Sequence, residues 1–411
     1  MAMKTNFKVA YILDRFPYLT ETFVAREIDW IRSHDVDITI FSLLSSKDSL
    51  VHTQSKALLP LTHYSPYISW SVLQAQRYFL QNASKSYFRA LTKLIGQNYR
   101  EPKVLLRGLI LFPKSVYFAR KIQELGCDHI HTHFVWLGAM AASIVNELTG
   151  ISFSVRPHAF GLFQRDQQDV RRTLENVSQI ITVSTYHQAY IANLVPKLRA
   201  DQVSVVYYGL ETDTIVPRPE KTTPLVPTIL SIGRTVEKKG HEYLVAACGL
   251  LAQRGIKFRC LIVVGFDEDT PQLQSLIDET QCEEFVTLLD YQTQDEIVNL
   301  YHECDIFALA CVIAKDGDRD GLPNVIVEAM ACGLPVVTTP VAGIPDLVMN
   351  DVNGLLVEER NSEAMADGLE RLIHNVPLQY ALGEKARQSV LDQCDIRHTT
   401  KIMADIMKEV K

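Results

Sequence analysis

Asp316-Gly-Asp-Arg-Asp320-Gly321-Leu322-Pro323-Asn324-Val-Ile-Val-Glu328-Ala-Met-Ala-Cys-Gly333-Leu-Pro335-Val-Val-Thr-Thr-Pro340 reads as a loop, a helix, a turn and a strand. Pro323 suits the first turn of a helix, where its missing N–H costs nothing. Gly333 and Pro335 end that helix. Asp320 then falls in the loop before the helix and Glu328 in its second turn. The N–H groups around Leu322–Val325 have the positive end of the helix behind them, which suits a phosphate or a sugar oxygen. Ionised carboxylates accept hydrogen bonds strongly, so Asp320 and Glu328, flanking that point, suit the hydroxyls of a sugar or a ribose.

Strand-like and helix-like runs alternate on both sides of this stretch. Upstream, Lys8–Leu13, Asp37–Leu44, His129–Thr132, Phe153–Val155, Ile180–Val183 and Val203–Tyr207 read as strands. Glu21–Ser33, the long segment 68–125 and Leu137–Leu148 read as helical. Glu211–Pro227, with four prolines, reads as a linker. A second series follows: strands at Thr228–Ile232, Phe258–Val264, Val286–Leu288 and Ile306–Ala310, with helices at His241–Arg254, Thr270–Thr280 and Gln294–Cys304. This order implies an α/β protein of two doubly wound, Rossmann-like domains. Such a pair is expected to face a cleft at the carboxyl ends of both sheets, where open α/β sheets bind ligands.

Composition narrows the class. The 411 residues are 47% hydrophobic and 22% charged, which excludes a largely disordered chain. A net charge of −7 excludes a dedicated nucleic-acid binder, so no nucleic-acid partner is expected. The charge is uneven, however: residues 49–123 hold 11 Lys/Arg and a single acid, Glu101. The eight cysteines form no Cys-x-x-Cys pair and read as buried free thiols of a reducing cytoplasm. Val9–Leu13 is too short for a signal sequence, and the uncharged stretch Phe134–Asn146 is too short to span a bilayer. The expected location is cytoplasmic, with peripheral attachment at the inner face of the membrane.

Asp-Gly-Leu-Pro-x4-Glu-Ala-Met-Ala-x-Gly-x-Pro-Val-Val resembles the signature of retaining GT-B glycosyltransferases of family 4, the glycosyltransferase group 1 family, in its exopolysaccharide and colanic-acid branch. The family carries Glu-x7-Glu where this chain has Asp320-x7-Glu328. The resemblance implies that the first carboxylate contacts the donor sugar and the second holds the ribose hydroxyls. It extends to Ile229-Leu-Ser-Ile-Gly233-Arg234-Thr-Val-Glu-Lys-Lys239-Gly240, whose Arg and Lys grip the donor diphosphate in the family. The physics agrees, because two cations at a strand end neutralise a leaving pyrophosphate and Gly233 lets the backbone approach. Val205-Val-Tyr-Tyr208-Gly209-Leu-Glu211 and, more loosely, Val264-Gly265-Phe-Asp267 are similar to further family segments.

In the first domain, His129-Ile-His131-Thr-His133-Phe134 resembles the family's His-x-His-Phe segment. Val155-Arg-Pro-His158-Ala-Phe-Gly161-Leu-Phe163 resembles its His-Ala-x-Asp-(Ile/Leu)-Phe segment, with Gly161 in place of the acid. His158 matches the residue near the donor sugar. Phe16-Pro-Tyr-Leu-Thr20-Glu21-Thr22-Phe23 resembles the entry loop of exopolysaccharide members, with Thr20 as helix cap.

The resemblance implies a GT-B enzyme with a first, acceptor-side domain over 1–213, a nucleotide-sugar domain over 224–390 and a C-terminal helix, about 391–411, packed back on the first. The expected reaction moves a sugar from a nucleotide-diphosphate sugar to a hydroxyl acceptor, a lipid-linked or polysaccharide glycan, with retention. His158, Arg234, Lys239 and Asp320 are the expected catalytic residues. Gly233, Gly321, Leu322, Pro323, Asn324 and Glu328 join Arg234 and Lys239 on the donor, and Thr20, Glu21, Thr22 and His133 stand on the acceptor side. A uridine diphosphate sugar is placed ahead of a guanosine diphosphate sugar. No cofactor and no metal is expected.

Four alternatives bear on this reading. A sugar-nucleotide epimerase or hydrolase of the same fold would share the diphosphate clamp, and a non-catalytic partner subunit would explain the departures at Gly161 and Asp320. Asp316, Asp318 and Asp320 look like the start of a calcium loop, but its twelfth position is Val327, one residue before Glu328. His129, His131 and His133 share one strand face, yet no acid or cysteine follows at ligand spacing. Finally, within Val72–Ile95 the residues Leu73, Leu80, Tyr87, Leu91 and Leu94 share a helical face, and Arg77, Lys85, Arg89 and Lys93 gather opposite. That pattern makes an anionic membrane surface a candidate partner.

Overall fold

The computed structural model describes residues 6–18, 22–46, 53–218, 226–265 and 270–410. The chain divides into two compact units. The first takes residues up to Thr182, Gln188–Val206 and Arg397 onward; the second takes Val183–His187 and Tyr207–Ile396. The first unit thus ends at Val206, short of the expected 213, and yields a five-residue segment, Val183–His187, to the second.

The first unit is built on seven strands: β1 (Phe7–Phe16), β2 (Val36–Ser45), β3 (Thr62–Tyr64), β4 (His129–His133), β5 (Phe153–Arg156), β6 (Gln179–Thr182) and β7 (Val203–Val205). They pair in parallel in the order β3-β2-β1-β4-β5-β6-β7. Val9–Leu13 of β1 is buried along its whole length, as a parallel strand covered on both faces must be. β1 and β4 are neighbours, so the order reverses between Phe16 and His133, and this switch point is where such sheets hold ligands. The helix Ile396–Glu409 closes the unit, with Met403, Ala404 and Met407 in the same core as Val9 and Tyr11.

The helical segment 68–125 is three helices, Trp70–Asn82, Ser84–Asn98 and Pro102–Leu125. The expected single amphipathic helix over Val72–Ile95 is therefore corrected: it breaks at Ala83, whose φ of −145° and ψ of 43° are not helical. The expected apolar face splits as well, since Leu94 is buried while Leu73 and Leu80 are exposed. Packing of each helix on its own neighbours sets the buried side, and a periodicity read across the break mixes two faces.

The second unit holds β8 (Thr228–Ile232), β9 (Arg259–Val263), β10 (Val286–Leu289), β11 (Ile306–Leu309), β12 (Val336–Thr338) and β13 (Leu355–Leu356). They are parallel in the order β10-β9-β8-β11-β12-β13. Alternate residues serve opposite cores: Leu230, Phe307 and Leu309 on one face, Ile229, Ile306 and Ala308 on the other. Each unit is thus a doubly wound, Rossmann-like α/β domain. Residues 211–218, read from their prolines as linker, are packed on the second unit: Ile215 joins its core and the Arg218 N–H donates to Cys332 O. All eight cysteines are buried free thiols.

Candidate functional site

The ends of β8 and β11 build one cluster. The Gly233 N–H donates to Val263 O at 3.0 Å, and the Gly233 carbonyl accepts from His241 Nε2 at 2.9 Å. A β-carbon on Gly233 would stand 3.0 Å from Lys239 Cδ, so the missing side chain is what lets the lysine stem lie along the strand end. Lys239 belongs to the tight turn Glu237–Lys239, closed by Gly240 at φ +63°. A β-carbon at Gly240 would stand 1.7 Å from Ala310 O, so the turn can sit on the end of β11 only with glycine there. Val312 N–H donates to Lys238 O at 3.0 Å and Lys315 N–H to Glu237 Oε2 at 3.0 Å, fixing the turn to the loop that leads to Asp320.

Two lysines share that loop's carboxylates. Lys239 Nζ is 2.5 Å from Asp320 Oδ2; Lys238 Nζ is 3.3 Å from Asp320 Oδ1 and 2.9 Å from Asp318 Oδ2. Burial pushes the Asp320 carboxyl up, but Lys239 and Lys238 outweigh it and hold the group below its ordinary value. Burial likewise pulls the Lys239 ammonium down, and Asp320 outweighs that, leaving it raised. Both are charged at neutral pH. Arg234 is exposed and forms no ion pair among the described residues. The structure therefore joins Gly233, Lys239 and Asp320 in one cluster, and adds Lys238, which motif reading passed over although it adjoins Lys239. Because Asp318 and Asp320 face lysine ammoniums, they do not offer an open cation-binding set.

Leu322 and Pro323 are buried, and the helix opens at Asn324, running Asn324–Ala331 with Pro323 at the capping position rather than in the first turn. Its first N–H groups have no partner within the helix. Glu328 lies on this helix, half-buried. The Tyr301 hydroxyl donates to Glu328 Oε2 at 3.1 Å and reaches Val325 O at 3.2 Å. Burial first, and Glu328 second, push the Tyr301 hydroxyl well above its ordinary range, so it stays a donor. Tyr301 comes from the helix Gln294–Glu303, and no spacing links it to Glu328.

Gly321 packs against the segment that crosses from the other half of the sequence. A β-carbon there would stand 2.4 Å from His187 Cε1. Arg319 Nη1 donates to Tyr186 Oη at 2.6 Å, and the Thr185 hydroxyl donates to Asp346 Oδ1 at 2.6 Å. Burial, helped by Arg319, pulls the His187 imidazole down to about 4.

In the first unit, His129, His131 and His133 do share one face of β4, and all are buried. His129 and His131 meet Ser154 Oγ at 2.8 and 2.7 Å. Burial lowers His129 to about 3 and, with the neighbouring histidines, holds His131 well below its ordinary value. His133 Nε2 is 3.0 Å from Glu27 Oε1, and His133 Nδ1 is 3.0 Å from His158 Nε2. Glu27 Oε2 pairs with Arg156 Nη1 at 2.7 Å. Ligand atoms of Glu27, His131 and His133 lie within 4.8 Å of one another, so the acid that spacing failed to find comes from the helix Thr22–Arg32. A dication would meet the Arg156 guanidinium on the same carboxylate, and both His133 nitrogens are already engaged. The set fits an ion-pair network better than a metal centre. The sequence did carry a signal for Glu27: it interrupts a stripe of buried Val24, Ala25, Ile28 and Ile31.

His158 stands at the cap position of the short helix Ala159–Phe163, its ring 4.2 Å from Phe134 and 5.1 Å from Phe23 between centroids. A β-carbon at Gly161 would come 3.1 Å from Val135 N, a tight contact that a side chain there would have to push back. Thr20 and Glu21 lie outside the described residues, and Thr22 opens the helix Thr22–Arg32.

Two doubly wound, parallel-sheet domains in one chain are the GT-B architecture. Solved structures share this fold: a Rickettsia africae glycosyltransferase superposes with a TM-score of 0.71 at 18% identity, covering 98% of each chain. Anabaena Alr3699/HepE in complex with UDP gives 0.74 at 16% identity, covering 98% of this chain and 100% of that one. Residues 218–389 match the family model of glycosyl transferases group 1, and the chain carries a domain of that family. Among curated relatives, the amylovoran biosynthesis glycosyltransferase AmsK of Erwinia amylovora is 30% identical over 280 residues, 66% of this chain and 65% of AmsK. The putative colanic acid biosynthesis glycosyltransferase WcaL of Escherichia coli is 35% identical over 169 residues, 41% of each chain. These two alignments span less than two thirds of the relatives' own lengths. WcaL of Salmonella typhimurium aligns at 25% identity over 98% of this chain and 100% of its own.

Proposed function

We propose that the protein is a retaining, metal-independent glycosyltransferase of family 4 that moves a sugar from a nucleotide-diphosphate sugar to a hydroxyl of a lipid-linked or polysaccharide glycan. The observation that carries this reading is the Gly233–Lys238–Lys239–Asp320 cluster inside the matched group 1 domain. The names of the colanic-acid and amylovoran relatives support the acceptor class, and the UDP complex of the Anabaena neighbour supports a uridine diphosphate donor.

The chemistry requires negative charge on the departing diphosphate to be neutralised. An ammonium carries three donors, and Asp320 occupies only one of those on Lys239. Asp320 thus holds the lysine in place while its other N–H groups, with Arg234, face the phosphates. The first N–H groups of the helix Asn324–Ala331 take a phosphate or sugar oxygen. Glu328, oriented by Tyr301, accepts from ribose hydroxyls, and His158 stands beside the donor sugar. These cations do the work that a metal does elsewhere, and the departing phosphate oxygen serves as base.

The enzyme acts at the cytoplasmic membrane face. More than half of the exposed large apolar side chains among the described residues fall between Leu59 and Ile110, among them Ile68, Trp70, Leu73, Phe88 and Leu106. Arg89 and Lys93 of the expected basic face are tied to Glu147, but Arg77, Lys85, Arg100, Lys103 and Arg107 form no ion pair among the described residues. No helix among them is long and apolar enough to cross a membrane. Apolar side chains among unpaired cations suit an anionic leaflet. Charge reversal at Arg77, Lys85 and Lys103 should abolish salt-reversible pelleting with anionic vesicles and leave donor turnover intact.

A thermal-shift and hydrolysis screen over uridine and guanosine diphosphate sugars tests the enzymatic reading. Stabilisation and slow hydrolysis with a uridine diphosphate sugar, persisting in EDTA, are expected. Absence of both with every donor, or strict dependence on added manganese, overturns it.

A further inference from the structure

A hollow of about 260 Å³ opens in the first unit between Tyr67, Arg107, Ile110, Leu111, Trp136 and Leu137. Arg107, Ile110 and Leu111 follow one face of the helix Pro102–Leu125, and Lys114 stands on the same face one turn beyond. Lys114 Nζ donates to Leu43 O, near the carboxyl end of β2, and lies 4.7 Å from the centre of the Tyr67 ring. Trp136 and Leu137 begin the helix Leu137–Thr149 that follows β4. The hollow therefore lies at the carboxyl ends of the strands, beside the switch point between β1 and β4 where open sheets hold ligands.

The charges around this hollow do not balance. Arg107 and Arg165 share the Trp136 ring, at 5.2 and 3.9 Å from its centre, and Arg107 disfavours the charge on Arg165. Arg165 is answered by Asp169 and donates to Val135 O. Arg107 has neither an ion pair nor a hydrogen bond among the described residues. Lys114 is buried with no carboxylate paired to it among those residues. Burial pulls its ammonium down to about 8, so it is still charged at neutral pH. Glu101, the one acid of residues 49–123, is taken by Arg172 at 2.8 Å, and the Asp14 carboxylate accepts from the Gly138 N–H. Two uncompensated cations at a concave site complement a phosphate, whose oxygens take the guanidinium fork in charge-assisted bonds. An anion beside Arg107 also removes the cost of two guanidiniums at one ring.

The rest of the ligand follows from what borders the cations. Ile110 on the wall, Leu106 and Leu109 on the same helix and Ile68 beside Tyr67 are all exposed. The hollow is smaller than the roughly 300–1,000 Å³ of sites that enclose a drug-sized ligand, so it takes a head group and leaves a chain outside, against that apolar border. We propose that this hollow is the seat of the phosphate-ester head of a lipid-linked acceptor, with Arg107 bonded to the phosphate and Tyr67 and Trp136 as its walls. That the head belongs to the acceptor rests on the function proposed above; the anion seat does not. The place at the strand ends, where substrates bind, favours the acceptor over a bulk membrane lipid as the source of the phosphate.

Titration calorimetry with farnesyl phosphate, below the concentration at which it aggregates, tests the seat. Arg107 is exposed, so Arg107→Gln leaves the core alone. Saturable binding is expected, with farnesol and inorganic phosphate each weaker by about tenfold or more, since each supplies half of the ligand. Arg107→Gln should lose about tenfold or more, the scale of a hydrogen bond to a charged group, while Lys85→Gln, which removes one cation from the same basic stretch, changes little. Saturating UDP should not displace the lipid. Displacement by UDP, or loss in Lys239→Met but not in Arg107→Gln, would put the phosphate on the second unit's lysines and overturn the proposal. Equal affinity for farnesol, equal losses in Arg107→Gln and Lys85→Gln, or no saturable binding would overturn it as well. Pelleting with phosphatidylglycerol vesicles separates the two sources: Arg107→Gln should pellet as Lys85→Gln does. A selective loss of pelleting in Arg107→Gln without a loss of farnesyl phosphate binding would assign the hollow to bulk lipid and end the proposal. The titration contains no donor and reads no turnover, so its failure leaves the enzymatic reading standing, and failure of the donor screen leaves the anion seat standing.

Discussion

Each unit buries an acid between cations, but the two clusters are built on different terms. In the first, Glu27 and Arg156 are 8% and 1% exposed, and Arg156 is the only permanent cation paired with the carboxylate among the described residues. In the second, Asp320 and Lys239 are 17% and 14% exposed, and Lys238 backs Lys239 on the same acid. The first arrangement has no spare partner and little water, so it fixes geometry at the risk of stability. The second has a spare cation and a route to solvent, so one lysine can turn toward an incoming anion without stranding a charge. Rigidity belongs to the first cluster, and give to the second, which is proposed to meet phosphate.

The sharpest way to break this contrast is to remove one cation from each. Arg156→Met keeps the volume and leaves Glu27 buried without its guanidinium partner. Breaking a buried pair from one side costs about 3–5 kcal/mol. All three tryptophans, Trp30, Trp70 and Trp136, lie in the first unit, so tryptophan fluorescence follows that unit in urea. The midpoint should fall sharply, while far-UV circular dichroism keeps a second transition near its original position. A loss under about 1 kcal/mol would mean that the first cluster also has slack.

Lys239→Met is the counterpart and should act on rate rather than stability. Lys238 remains on Asp320, so the urea curves should shift by under about 1 kcal/mol, the usual worth of a partly solvated pair. Losing a group that neutralises developing charge costs about 2.7–4 kcal/mol in the transition state, or 10²–10³ in turnover. Near-normal turnover, or a stability loss matching that of Arg156→Met, would erase the distinction between the clusters.

The same contrast explains what could be read from the chain alone. The parallel sheets, the strand end at Gly233 and the helix carrying Glu328 are local patterns: alternation, a glycine at a strand end, a proline and a glycine bracketing nine residues. Lys239 and Asp320 were each legible in such patterns, but their mutual pairing was not, because it depends on Gly240 docking on Ala310 some 70 residues away. Glu27, Tyr301 and His187 act through partners far along the chain, and no spacing encodes those distances. The segment 68–125 was legible as helix, but not as three helices. Ser69 caps the first and Ala83 breaks it, and the buried faces are set by tertiary packing that periodicity does not see.

A gentler test uses His187, which lies in the second unit against Gly321 and is held neutral down to about 4 by burial and by Arg319. In the unfolded chain the imidazole titrates at its ordinary 6.5. The unfolded state therefore takes up the proton first as pH falls, and the folded state is penalised. His187's contribution is complete above 6.5 and drains away as pH falls toward 4, at about 1.4 kcal/mol per pH unit between those values. From 6.5 to 5 the loss is about 2 kcal/mol. His187→Gln removes the titration, so melting temperature between pH 7 and 5 should fall less steeply in the variant than in the unsubstituted protein. Tryptophan fluorescence, which reports the first unit, should show the same pH slope in both. Parallel melting slopes would mean that His187 is already open to protonation in the folded state and that Gly321 is not sealed by it. A flattened slope would locate the acid-sensitive point of the second unit at the loop proposed to receive the donor, beside Asp320, whose carboxyl Lys239 and Lys238 hold below its ordinary value.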